Sequence, residues 1–117
     1  MLNASLSELS SALARKAISS IELTQLFLER AQRLNPALNA FITIDGEASL
    51  AQARDADARR ARGEAEVLTG IPVALKDIFC AKGWLTTCGS KILSNFVSPY
   101  DAHVVERLQT AGAVNLG

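Results

Sequence analysis

One lysine stands out in this sequence because it follows an apolar run that is expected to be buried. Lys76 comes directly after Val73-Ala74-Leu75, a short run bounded by glycine and proline, and such a run predicts a buried strand. An ammonium leaves water only at high cost. A lysine placed there either reaches solvent, pairs with a carboxylate, or has its pKa lowered by burial until the neutral amine accepts a proton. The chemistry that this position allows is general base catalysis.

The ordinary alternative is a strand-end lysine whose head reaches water or pairs with the next residue, Asp77. From position alone this alternative is the commoner outcome, since most titratable groups are not strongly perturbed. A carboxylate close to the amine would stabilise the ammonium and oppose a role as base. If Lys76 is a base, we therefore expect the Asp77 side chain to point away from it, as alternation along a strand would place it.

A loop rich in glycine, threonine and serine follows, from Gly83 to Ser90. Its small and hydroxyl-bearing residues suit close backbone approach and hydrogen bonding. Thr86, Thr87 and Gly89 fit either a loop beside an active site or a plain structural turn. Ser90 follows a glycine but lies outside a G-x-S-x-G elbow, so we expect a helix cap or loop hydroxyl and not a nucleophile.

The other residues that often do chemistry form no pattern. His103 is the only histidine and falls in the first turn of a predicted helix, where a surface or packed imidazole is expected. Cys80 and Cys88 lack the spacing and the histidine partners of a metal site, so two reduced thiols are expected. We predict no metal site and no cofactor site in this chain.

The elements that must position Lys76 follow from periodicity and capping signals. Four helices are predicted, and the second is expected to stop before Pro36, because proline disfavours helical geometry in the residue before it. The third is expected to pack through its alanines. The predicted ranges are Leu6 to about Lys16, the Ser19–Glu22 capping box to Asn35, Glu47 to Arg62 after a cap at Asp45, and Ala102 to Ala111 after a cap at Asp101. The alanines are Ala48, Ala51, Ala58 and Ala61.

Short strands are predicted at 40–44, at 73–75 and from 113 to the last residue. Later strands that alternate with helices indicate an α/β fold with parallel pairing. We expect a single domain, with a helical N-terminal region over about 1–66 and the start of an α/β core over 67–117. The chain stops within a predicted strand, so an N-terminal fragment is expected.

Composition narrows the class of protein. Twelve Lys and Arg residues balance twelve Asp and Glu residues, and no basic stripe is present, so direct nucleic-acid binding by this segment is not expected. Apolar residues make up 49% of the chain, yet no run reaches transmembrane length and no signal peptide opens it. We expect a cytoplasmic protein that does not contact a membrane.

Three motifs occur in a fixed order: G-I-P-V-A-L-K-D over 70–77, T-T-C-G-S over 86–90 and S-P-Y-D-A over 98–102. Together they resemble the amidase signature family, and the resemblance extends over essentially the whole chain. It implies N-terminal helices followed by the first strands and helices of that family's mixed-sheet fold, truncated. It also implies that Lys76 is the base of a triad with two serines, one on a cis peptide bond and one the nucleophile. Neither serine is found here, so this segment alone is expected to be inactive.

Within the family, the run from Ser90 to Ala102 is similar to that of the glutamine-hydrolysing subunits of tRNA-dependent amidotransferases. This likeness implies ammonia supply for protein biosynthesis, partner subunits B and C, and Glu-tRNA(Gln) reached through the complex rather than this segment. It places ATP and Mg in a partner protein of the complex. Two alternatives stay open: a stand-alone amidase for small amides, and a non-catalytic α/β module that binds a partner through its helices.

Overall fold

The computed structural model describes residues 1–117, and it has an α/β fold, as predicted. Its two strands pair in parallel, with Pro72 opposite Val114 and Val73 opposite Asn115. A 3₁₀ turn at Lys91–Leu93 lies in the long connection between the strands. The elements are α1 (Leu6–Ala14), α2 (Ser20–Leu38), α3 (Gly46–Ala61), β1 (Pro72–Val73), α4 (His103–Thr110) and β2 (Val114–Asn115).

The parallel pairing extends past both strands and ends next to Lys76. Backbone hydrogen bonds of 2.8–2.9 Å continue the ladder on either side. The last of them runs from Leu75 N to Gly117 O, so Lys76 is the first residue beyond the ladder. The others run from Gly70 N to Gly112 O, from Val114 N to Ile71 O and from Leu116 N to Val73 O.

Two capping boxes start the first two helices, as predicted. Ser5 N donates to a Glu8 carboxylate oxygen at 2.7 Å, and Ser19 N donates to that of Glu22 at 2.8 Å. Each box satisfies backbone N–H groups that the first helical turn leaves without a partner. The buried cluster formed behind them contains Leu9, Leu13, Leu23 and Ile71, so α1 and α2 pack against the segment that leads into β1.

The second helix runs beyond its predicted end. It includes Pro36 and stops at Leu38, after which Asn39 takes the left-handed conformation at φ 48°. Proline so close to a helix end removes one intrahelical bond only, and this limits its cost. Asn39 N then donates to Asn35 O at 2.7 Å and closes the last turn. The prediction that the helix stops before Pro36 is wrong.

Residues 40–44 form no strand, contrary to prediction. The Asn35 side chain accepts a hydrogen bond from Phe41 N at 2.8 Å and donates one to Phe41 O at 3.0 Å. The side-chain amide of Asn35 therefore satisfies the N–H and the C=O of Phe41, which in a sheet would bond to a neighbouring strand. The β-branched composition of the segment does not reveal this competing partner.

The third helix begins after its predicted cap, since Asp45 accepts from Ala48 N at 3.0 Å. Its buried face differs from the predicted one and consists of Ser49, Ala53 and Ala56. The Ser49 hydroxyl donates to Asn115 O at 2.7 Å, so a serine packs against β2 without an unsatisfied polar group. Of the predicted alanines, the exposed ones are Ala51, Ala58 and Ala61.

The last helix starts without a side-chain cap. Asp101, which was predicted to cap it, instead accepts from Lys82 N at 2.6 Å and from Gln109 Nε2 at 3.3 Å. The helix packs through Val105, which is buried, while Val104 is 42% exposed. Asp101 therefore joins the loop at Lys82 to a side chain near the end of the helix, and it does not cap the first turn. None of the helices has the length and apolar character needed to cross a bilayer.

Candidate active site around Lys76

Lys76 lies at the rim of an open cavity of about 510 Å³. The cavity wall is largely apolar and comes from three parts of the chain: the segment after α2, the end of the β1 ladder and the loop after Lys76. Neither of the two salt bridges of the chain involves Lys76. Representative lining residues are Phe41, Leu75, Phe79, Trp84, Thr86 and Gly117.

The prediction that the strand shields Lys76 from water is wrong for these 117 residues. Lys76 is exposed, as is Ala74 two residues before it, and Val73 and Leu75 are only half-buried. The cause is the sheet, because β1 has a single neighbouring strand, β2, and its other edge is uncovered. Apolar composition predicts that a strand will be covered, but no second strand pairs with this edge in the structure.

The Asp77 carboxylate forms no salt bridge with Lys76 and bonds to the following loop instead, which agrees with the expectation that it does not pair with the amine. It accepts hydrogen bonds from Thr87 N at 2.7 Å, from the Thr87 hydroxyl and from Gly89 N at 3.3 Å. The reason differs from the predicted one: Asp77 lies in a turn, so strand alternation does not set its direction. Hydrogen bonds to a loop ten residues further along the chain orient the side chain instead.

The loop that Asp77 holds has an unusual backbone. Cys88 and Gly89 both adopt positive φ, at 51° and 67°. These two residues form a tight turn, and the turn directs the N–H groups of the loop towards Asp77. Cys88 N donates to the backbone oxygen of Asp77 at 2.9 Å, so three successive loop N–H groups bond to atoms of this one residue. Sequence reasoning missed this contact.

The other predicted residues lie outside the cavity. Ser90 caps the 3₁₀ turn, its hydroxyl accepting from Ile92 N at 3.3 Å, as a cap was expected there. The His103 imidazole is 85% exposed and lies 3.5 Å from the Glu106 carboxylate, which agrees with the expected surface position. Cys80 and Cys88 are both free thiols. No three or more His, Cys, Asp or Glu side chains come together in a group that could hold a metal ion.

Hydrogen bonding shifts the titration of Asp77. Burial acts to raise the pKa of this carboxyl, but hydrogen bonds from Thr87 and Gly89 to the carboxylate outweigh it, so the pKa lies below its usual value. A lowered pKa in the folded state means that Asp77 stabilises the fold above its unfolded pKa, about 3.9. This contribution is lost as pH falls through the folded pKa.

We expect Asp77→Asn to lower the free energy of unfolding of the full-length protein at pH 7, by an amount that shrinks below about pH 4. Protonation then removes from the wild type the same charge that the substitution removes. Urea titrations of both proteins at pH 7, 4 and 3 measure the difference. A difference that stays constant across these values would show that the charge of Asp77 does not stabilise the loop.

Comparison with known proteins gives the family. The profile described as Amidase matches residues 22–117. The glutamyl-tRNA(Gln) amidotransferase A subunits of Dechloromonas aromatica and Nitrosomonas europaea are 66% and 68% identical to the chain over 118 and 117 residues. Each alignment covers 100% of this chain and 24% of the relative, so the chain spans about a quarter of the length of these proteins.

Solved structures agree with the profile. The native peptide amidase from Stenotrophomonas maltophilia superposes with a TM-score of 0.92 at 34% identity, over 98% of this chain and 24% of that one. An amidase family protein from Bacillus anthracis superposes with a TM-score of 0.89 at 31% identity, over 98% of this chain and 23% of that one. The profile, the relatives and the fold agree with the three sequence motifs, and the chain belongs to the amidase family.

Proposed function

We propose that this chain is the N-terminal part of the glutamine-hydrolysing A subunit of a glutamyl-tRNA(Gln) amidotransferase. The observation that carries the proposal is identity: relatives with that name are 56% to 68% identical along the whole chain. The peptide amidase, with nearly the same fold over these residues, is only 34% identical. In this proposal residues 1–66 form the helical N-terminal region and residues 67–117 begin the catalytic core.

Lys76 is the general base in the proposed reaction. Its neutral amine accepts, through an intervening serine on a cis peptide bond, the proton of a nucleophilic serine. The serine oxygen attacks the side-chain amide carbon of glutamine, the proton held by Lys76 is returned to the amide nitrogen, the carbon–nitrogen bond breaks, and ammonia leaves. Water then hydrolyses the ester and releases glutamate. Both serines lie outside these 117 residues, so the segment by itself does not hydrolyse glutamine.

Two features of the structure support the role of Lys76. The nearest carboxylate in sequence, that of Asp77, is bonded to Thr87 and Gly89 and so is not available to hold an ammonium at Lys76. The cavity beside Lys76 is largely apolar, and its volume of about 510 Å³ lies in the range of small-molecule sites, about 300–1,000 Å³. In the proposal, the rest of the protein covers this cavity and removes water from around the amine.

The proposed protein works within a complex with subunits B and C. Ammonia passes to the B subunit, which uses ATP and Mg to activate the glutamate of Glu-tRNA(Gln), while the small C subunit clamps the other two together. The net charge of zero in this segment suits a part that contacts other proteins rather than tRNA. The setting is cytoplasmic protein biosynthesis. The chain itself holds no cofactor in this proposal.

A stand-alone amidase for small amides is the second candidate, and the likeness to the peptide amidase favours it. The two candidates differ in what they need for activity. The glutamine-hydrolysing A subunit of an amidotransferase co-purifies with subunits B and C, and Gln-tRNA(Gln) forms only in their presence. A stand-alone amidase hydrolyses small amides without partners.

The experiment uses the full-length protein, meaning this chain extended to the length of its relatives. We expect it to co-purify with subunits B and C, to release ammonia from glutamine and to convert Glu-tRNA(Gln) to Gln-tRNA(Gln) in the complex. The 117-residue segment is expected to release no ammonia. Efficient hydrolysis of small amides without any association with these two partners would contradict the proposal, and so would glutaminase activity of the isolated segment.

A further inference from the structure

We propose that Asp77 is a positioning residue, whose carboxylate locks the loop of residues 86–89 against the end of the β1 ladder and so fixes Lys76 in the active site. The inference rests on the proposed function, because it gives Asp77 its role through Lys76. Asp77 lines the cavity beside Lys76, and in this inference it acts through the loop it holds rather than on the substrate.

Asp77 ties two segments together at four points. Its carboxylate accepts from the Thr87 N–H, the Thr87 hydroxyl and the Gly89 N–H, and its backbone oxygen accepts from the Cys88 N–H. Hydrogen bonds to a charged group are among the stronger ones in proteins, and several on one carboxylate define its orientation closely. The residue directly before this anchor is Lys76.

The loop needs an anchor because its backbone conformation is costly. Cys88 at φ 51° is a non-glycine residue in the left-handed region, where the side chain crowds the backbone. Such a conformation persists only when surrounding contacts impose it. Asp77 supplies those contacts, since its backbone oxygen accepts from Cys88 N and its carboxylate accepts from Gly89 N.

The locked loop forms part of the cavity wall. Thr86 and Thr87 are both buried, and Thr86 lines the cavity beside Lys76. Thr86 N also donates to Phe96 O at 2.9 Å, which holds the far side of the loop. The same four hydrogen bonds therefore fix the cavity wall and the backbone next to Lys76. A shift of the loop therefore displaces Lys76 as well. A displacement of about 1 Å can cost on the order of 10²-fold in rate.

The test uses the full-length protein with glutamine as substrate. We expect Asp77→Ala to lower kcat by about 10²-fold with little change in KM, because the amine is misplaced while substrate contacts remain. Thr87→Val removes the hydroxyl that donates to the Asp77 carboxylate and accepts from Gly89 N at 3.2 Å, and it is expected to lower kcat by about tenfold. Thr87→Ser keeps that hydroxyl and is expected to retain most of the activity. The double variant Asp77→Ala/Thr87→Val should be about as slow as Asp77→Ala, since Asp77→Ala already removes the carboxylate to which the Thr87 hydroxyl donates.

Asp101 offers a matched control, because its carboxylate also accepts from a loop N–H group, that of Lys82, and neither of these two residues lines the Lys76 cavity. We expect Asp101→Ala to lower thermal stability but to leave kcat unchanged. If Asp77→Ala keeps the wild-type kcat, or if Asp101→Ala lowers kcat as much, the positioning role is overturned. Should Asp77→Ala not fold, the Thr87→Val and Thr87→Ser pair decides, and equal kcat values for the two overturn it. These results do not affect the proposed function. The proposed function fails separately, if Lys76→Met stays active.

Discussion

Lys76→Met in the full-length protein is expected to lower kcat/KM for glutamine hydrolysis by about 10²–10⁴-fold, the usual contribution of a general base. Methionine keeps most of the length and apolar character of the side chain but cannot accept a proton. Lys76→Arg is expected to be equally inactive, because a guanidinium stays protonated at every usable pH. The two substitutions together separate a requirement for a base from a requirement for positive charge.

The control for this prediction is Lys91→Met. Lys91 is exposed at the start of the 3₁₀ turn and does not line the cavity, so its replacement should leave kcat/KM unchanged. Steady-state assays of ammonia release, with circular dichroism to confirm folding, provide the measurement. Full activity of Lys76→Arg would mean that the lysine acts as a fixed charge. Full activity of Lys76→Met would remove it from the reaction altogether.

Gly70→Ala is expected to destabilise the full-length protein by about 3 kcal/mol, from strain at positive φ together with overpacking. Gly70 has φ 84°, and an added Cβ would lie 2.8 Å from the Ser20 Oγ. The Ser20 hydroxyl donates to Gly70 O at 3.1 Å, so the clash falls on the contact that joins α2 to the start of the β1 ladder. Urea titration followed by circular dichroism measures the loss.

Gly63 gives a matched control for that substitution. Its φ of 76° is close to that of Gly70, but nothing lies within 4 Å of the Cβ that alanine would add. Gly63→Ala therefore reports the conformational cost alone, expected to be about 1 kcal/mol. If both substitutions lower the free energy of unfolding equally, the clash between the added Cβ and Ser20 does not contribute to the cost of Gly70→Ala.

Local signals in the sequence predicted local structure well. Both capping boxes lie within a single helical turn, so the residues that cooperate are three positions apart and visible together. The cap at Asp45 followed from a similarly short pattern, whereas the parallel pairing followed from the alternation of strands and helices along the chain. The strand predicted at 40–44 was wrong because the Asn35 side chain bonds to both backbone groups of Phe41, and the composition of the segment does not reveal that partner.

Long-range contacts explain what the sequence could not show. Asp57 of α3 accepts from Ser20 N at 2.7 Å and Ile21 N at 3.1 Å, across 36 or more positions, and so caps α2 a second time. Asp77 and Thr87 meet only after the loop between them folds back. The motif singled out Lys76 as a candidate, but it could not show that this residue is exposed. Exposure depends on which elements cover the free edge of β1.

The most direct test of the central claim is the first turnover of glutamine by the full-length protein, with wild type compared with Lys76→Met. Rapid mixing with saturating glutamine, acid quenching and ammonia determination isolate the chemical step from product release. With Lys76 as the base, first-turnover ammonia release falls by at least about 10²-fold while glutamine binds with an unchanged Kd. An undiminished first-turnover rate in the variant would contradict the account, because proton transfer would then not pass through this amine.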